Sequence, residues 1–210
     1  MSVIGTKKTL NLHKYSLKFS EILSNWKIIL PLIFSLIGIV IGCYDGKGES
    51  GLYFKITDYF TSVILSSDRL TLGTSLLYYM IFPCVFFVII FFLGLSVFGT
   101  VITNAVPLCL GYIIGCVSFY QYSLYNLKGF GYCIIMIYPY CILTLLAVIL
   151  CCRESINMSQ LIVGSISKAK LPSYSFTTYY KSFIKNLVFI VAASAVKTAL
   201  NYLFGGLFVF

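Results

Sequence analysis

The sequence predicts an all-α, polytopic membrane protein with about five transmembrane helices, N-terminus in and C-terminus out. Three observations lead there. First, 60 % of the 210 residues are hydrophobic and 10 % are charged, against about 45–50 % apolar and 25 % charged in soluble domains. The mean hydropathy is +0.97, and a soluble chain of this length has too little interior to hide that much apolar surface. Second, five apolar stretches reach the ~17–25 residues that a helix needs to cross a hydrocarbon core. Third, the loops alternate in basic content: ten Lys or Arg fall on the N-terminal side and four on the other, which orients the chain by the positive-inside rule.

Residues 1–27 form a basic arm with Lys7, Lys8, Lys14, Lys18 and Lys27, expected in the cytoplasm. Residues 28–210 read as a single transmembrane bundle. The first span, 28–44, follows an arm too long for a cleaved leader and precedes no A-x-A site, so it is expected as a retained anchor. The external 45–74 connection holds LYFKITDYFTSVIL (52–65), whose apolar residues fall at helical spacing and predict an interfacial or partner-facing helix. The second span, 75–98, is separated by a short Gly-Thr step from the third, 101–120. A ten-residue external step leads to the fourth, 131–152. The cytoplasmic 153–186 connection carries Arg153, Lys168, Lys170, Lys181 and Lys185, and the fifth span covers 187–210. No internal repeat or second domain is evident.

The net charge of +9 sits beside apolar spans, so anionic headgroups of the lipid bilayer are the expected counter-surface and nucleic acid is not an expected partner. Eight cysteines contain no CxxC and one histidine stands alone in the arm, which argues against metal or disulfide chemistry. No HExxH, no pair of intramembrane aspartates and no GxxxxGK[ST] loop occurs. Catalytic residues, cofactors and metals are therefore expected to be none.

Small residues mark expected helix contacts. GIVIG (Gly38, Gly42) and GYIIG (Gly111, Gly115) are both G-x-x-x-G, a spacing that lets backbones approach closely within one bundle or between copies of a chain. Asn104, Pro107, Gly111, Gly115 and Ser118 fall on one helical face. Lys197 is the one ionisable group inside the spans. Ser194 and Asn201 lie on its stripe, which reads either as internal bonding to these residues and to nearby carbonyls or as a partner contact. Pro139, near a third of the depth of span four, predicts a kink or unwound turn over 135–139, with Gly129 and Gly131 making the external turn before it.

FFLGLSVFGT (91–100), GYIIGCVSF (111–119) and YNLKGFGYCIIMIYPYCILTLLAVIL (125–150) resemble, in that order, the stage II sporulation protein M family over about residues 85–165. Gly94, Gly111, Gly115, Gly129 and Pro139 carry the match, while Tyr140 and Cys141 replace a polar pair that follows the proline in the family. The resemblance implies a multi-pass protein of the bacterial cytoplasmic membrane. It would act as a non-enzymatic scaffold that localises or assembles envelope partners, among them peptidoglycan hydrolases, during engulfment of the forespore. The alternative is the membrane-spanning subunit of an exporter driven by a separate ATPase, with the 153–186 connection as its coupling surface.

Overall fold

A computed structural model describes residues 26–47, 51, 53–58, 72–166 and 175–204. Among these the chain is all-α, with no strand, and four helices are long and apolar enough to cross a membrane. Helix α1 spans Trp26–Asp45, and a short helix α2 covers 53–58. They are followed by α3 (Leu72–Gly94), the four-residue α4 (Gly99–Ile102) and α5 (Ala105–Tyr132). A π-helical segment (Cys133–Ile137), α6 (Tyr138–Ile166) and α7 (Phe176–Phe204) complete the order. The lysines of the basic arm other than Lys27, residues 52 and 59–65 of the interfacial segment, Lys168, Lys170 and the last six residues of span five lie outside the described residues.

The 67-residue stretch Gly99–Ser165 runs through α4, α5, the π segment and α6 with a turn at 103–104, and would measure about 100 Å at 1.5 Å per residue if it were straight. It is not straight. Asn126 leaves helical geometry (φ 51, ψ −130), and beyond it the chain doubles back. Thr103 on the outgoing limb meets Ser155 on the returning one, with their hydroxyls 3.1 Å apart. The reversal thus sits at Asn126 and not at Gly129 or Gly131. Gly129 has a different role: a Cβ there would strike the carbonyl of Gln121, so its bareness lets the two limbs close. Gly131 has nothing within 4 Å of a Cβ position.

Span two also ends earlier than its apolar sequence does. α3 stops at Gly94, and residues 95–104 form an elbow of turns around α4. At the other end of the chain, Ser175 starts α7. Its hydroxyl accepts the Thr178 amide at 3.3 Å, the usual N-cap arrangement.

The core follows from this layout. α6 and α7 form the central pair, and α3 packs on both. Ile90, Val148, Cys152, Tyr179 and Phe183 fill one cluster at the elbow end; Val117, Cys133, Met136 and Ile137 fill a second around the π segment. The outward faces stay apolar: Ile81, Val85, Val88 and Phe92 on α3 and Val188 on α7 are exposed, as lipid-facing positions should be. α2 docks by burying Tyr53, whose ring stands edge-on to Phe119 at 6.4 Å.

Candidate functional site

The two G-x-x-x-G motifs meet each other within the chain. A Cβ on Gly38 would fall on the Leu108 carbonyl and one on Gly42 on the Tyr112 carbonyl. In return, Gly111 faces the Ser35 carbonyl and Gly115 faces that of Ile39. Each glycine therefore accommodates a backbone oxygen of the other helix, which is how bare backbones gain van der Waals contact in lipid. Thiols reinforce the seam: Cys43 Sγ donates to the Gly115 carbonyl at 3.5 Å, and Cys116 Sγ to that of Gly42 at 3.7 Å. At the Asp45 end of α1 the Tyr112 hydroxyl donates to the Asp45 carboxylate.

Prolines create the next set of contacts. A proline has no N–H, so the carbonyl one turn earlier loses its helical donor. For Pro83 that carbonyl belongs to Tyr79, and the Tyr140 hydroxyl donates to it at 2.9 Å. For Pro107 it belongs to Thr103, which the Cys152 thiol reaches at 3.6 Å. Pro139 is preceded by the π segment at Cys133–Ile137, a widened helical turn that overlaps the kink or unwound turn expected over 135–139 and begins two residues earlier. There the Met136 carbonyl accepts Lys197 Nζ at 3.2 Å. In each case a side chain on α6 or α7 meets a carbonyl within a turn of the proline.

Lys197 is 2 % exposed. Besides its bond to Met136, its ammonium lies 5.6 Å from the centroid of the Tyr79 ring, a cation–π distance. Of the partners expected for it, the nearby carbonyl is present and Ser194 is not: the Ser194 hydroxyl bonds back to the Ile190 carbonyl at 2.9 Å. Asn201 acts one step away, its amide donating to the Tyr79 hydroxyl at 2.6 Å. Tyr79, Tyr140, Asn201, Lys197 and the π segment thus form one polar cluster near one end of the bundle. Lys197 occupies the last third of the described α7.

A second polar cluster lies on α7 about 27 Å away, 18 residues at 1.5 Å each. Here Ser159 clasps the elbow, donating to the Ser96 carbonyl at 2.9 Å and accepting the Thr100 amide at 3.1 Å. The Tyr179 hydroxyl donates to the Phe91 carbonyl at 2.8 Å while its ring stacks on Phe91 at 5.3 Å. Gly94 is bare because Ser155 and the Tyr179 hydroxyl occupy the space of a Cβ. Close by, Lys27 Nζ donates to Asn157 at 2.7 Å and to Gln160 at 2.6 Å, tying the start of α1 to α6.

Sequence reasoning pointed to the glycines, Pro139 and Lys197 but missed Tyr79, Tyr140, Ser155, Ser159 and Tyr179. Pro83 held the clue to Tyr79, since a proline inside an apolar span requires a substitute donor one turn before it. The three hydroxyl residues on the elbow side gave no such sign. Among the described residues, no group of three His, Cys, Asp or Glu side chains is placed to hold a metal ion. Tyr140, Tyr179 and Ser159 each donate to a carbonyl on another element, an arrangement that holds helices together. No protein-family model matches the chain, and no curated protein or solved structure matches it either.

Proposed function

We propose that the chain is a non-enzymatic scaffold of the bacterial cytoplasmic membrane, similar in role to the stage II sporulation protein M family, that positions envelope partners such as peptidoglycan hydrolases. In this reading the limbs on either side of Asn126 are separate crossings. The chain then crosses five times, with the arm in the cytoplasm and the C-terminus outside. The observation that carries the reading is the use of the shared landmarks. Gly94, Gly111, Gly115 and Gly129 each lie where a Cβ would collide with another part of the bundle, and Pro139 follows the π segment. The residues of the resemblance are thus packing positions, which suits a protein whose work is architecture.

The test is crosslinking in the native membrane followed by co-purification through the full chain. Recovery of a cell-wall hydrolase, together with a block in forespore engulfment on gene deletion, supports the scaffold. Normal engulfment and a crosslinked partner set without envelope enzymes overturn it. One observation favours the exporter-subunit alternative: α6 and α7 continue past the expected spans, through 153–166 and 176–186, with Arg153, Glu154, Lys181 and Lys185 on the extensions. Recovery of an ATP-binding protein crosslinked to those extensions would establish that reading in place of the scaffold.

A further inference from the structure

Between α3 and α5 lies a cavity of about 70 Å³ that none of the packing roles above uses. The two helices form no substantial packing pair with each other. α3 packs on α6 and α7, and α5 on the π segment and α6; the gap between them is walled by Tyr79, Phe82, Ile114, Val117 and Leu145, with Lys197 contributed by α7. The walls are mostly apolar, and Lys197 is the one charged residue among them.

Water suits such a space poorly, because an ordered water needs two to four polar partners. Three hydroxyls on the wall already have partners: Tyr140 donates to the Tyr79 carbonyl at 2.9 Å, Thr144 donates to the Tyr140 carbonyl at 2.8 Å, and that of Tyr79 accepts the Asn201 amide. Lys197 differs. An ammonium has three donors, and the Met136 carbonyl takes one. No Asp or Glu occurs in any of the five apolar stretches, and no ion pair to Lys197 occurs among the described residues. A buried cation with an apolar cleft before it calls for an occupant with one negative end and hydrocarbon behind it.

We propose that this cleft binds a single-chain anionic lipid, its acid group on Lys197 Nζ and its acyl chain along the seam between α3 and α5. Carboxylates and phosphate monoesters share the required chemistry, one compact anionic head on an alkyl chain. The cavity takes the head and the first methylenes, and the rest of the chain lies in the bilayer. The site does not depend on the scaffold reading.

The experiment uses the full chain in phosphatidylcholine nanodiscs, with cis-parinaric acid as the fluorescent ligand and dodecanoate, dodecyl phosphate and dodecanol as competitors. Dodecanoate, dodecyl phosphate or both should displace the ligand at least about tenfold better than dodecanol, because a desolvated charge pair supplies the difference. Competition by dodecanoate alone assigns a free fatty acid, and competition by dodecyl phosphate alone assigns a phosphate-bearing lipid. Lys197→Met should reduce the preference for the charged competitor to within about twofold. Ile114→Trp, which keeps the lysine and fills the cleft, should weaken all competitors about tenfold or more. Equal competition by dodecanol, a charge preference that survives Lys197→Met, or full binding in Ile114→Trp overturns the proposal. If the variants do not fold, photo-crosslinking of a diazirine-bearing dodecanoate to the wild-type chain decides. Adducts on 78–82 and 110–117 support the site, and adducts spread over the outward faces overturn it.

Discussion

Replacing Gly111 with alanine tests the glycine seam directly. The added Cβ would overlap the Ser35 carbonyl oxygen and stand 2.9 Å from its carbon and 3.1 Å from the Ile39 nitrogen, where ordinary contact begins at 3.4 Å. Both neighbours are backbone, so no side chain can swing away. α1 must move off α5 by about 1 Å to clear the Ser35 oxygen, which strains the contacts at Gly38, Gly42 and Gly115 as well. Overpacking of this kind costs about 1–3 kcal/mol. Adding Gly38→Ala should cost less than a second full increment, because the same helix has already moved. The assay is thermal unfolding of the purified chain in detergent, with mass-mapped N-ethylmaleimide labelling of Cys116, which is 0 % exposed and bonds into the seam. Gly111→Ala should lower the transition and open Cys116 to labelling. Gly73→Ala, with nothing within 4 Å of its Cβ, should do neither. Wild-type stability with Cys116 still protected would refute the reasoning.

Three further expectations can be checked in the same preparation. Tyr140→Phe should destabilise by about 1–3 kcal/mol by orphaning the Tyr79 carbonyl; in a Pro83→Ala background the cost should fall below about 0.5 kcal/mol, because residue 83 then supplies a helical N–H. Equal costs in the two backgrounds would disprove the substitution of one donor for the other. Asn126→Gly should stabilise by about 0.5–2 kcal/mol, since a positive φ with ψ near −130 is strained for a residue with a Cβ, whereas Asn126→Val should destabilise; a loss of stability in the glycine variant would contradict the turn geometry. Ser159→Ala should cost about 1–3 kcal/mol and speed hydrogen exchange at the Thr100 amide, and unchanged exchange there would mean that Ser159 does not hold the elbow.

Features governed by sterics along one helix were legible from the residues, and features governed by partners across the bundle were not. Gly38, Gly42, Gly111 and Gly115 announce a close approach because four-residue spacing puts two hydrogens on one face, though spacing alone does not say which helix arrives. Pro139 announces a distortion, but whether the chain kinks or inserts a π turn depends on what meets the carbonyls ahead of it, here Lys197 at Met136. The reversal was misplaced because glycine is the usual residue at such points, whereas Asn126 adopts the positive φ and Gly129 serves packing instead. The elbow after Gly94 was invisible because Leu95, Val97 and Phe98 are apolar enough to extend the span, and the clasp that ends it, Ser159, lies 63 residues on from Ser96. Serine scarcely changes a hydropathy profile, so its role appears only once the helices are assembled.

The seam between α1 and α5 also imposes an order of events during synthesis. Cys43 and Gly115 are 72 residues apart, so at about 5–20 residues per second the ribosome needs roughly 4–14 s to supply the partner of α1. For that interval α1 stands in the membrane with its glycine face bare, and a second newborn copy offers the same G-x-x-x-G surface. Each chain must exchange any such early pairing for its own α5 once that helix is inserted. Crowded translation of this protein should therefore yield trapped dimers joined through α1, and slowing initiation should reduce them.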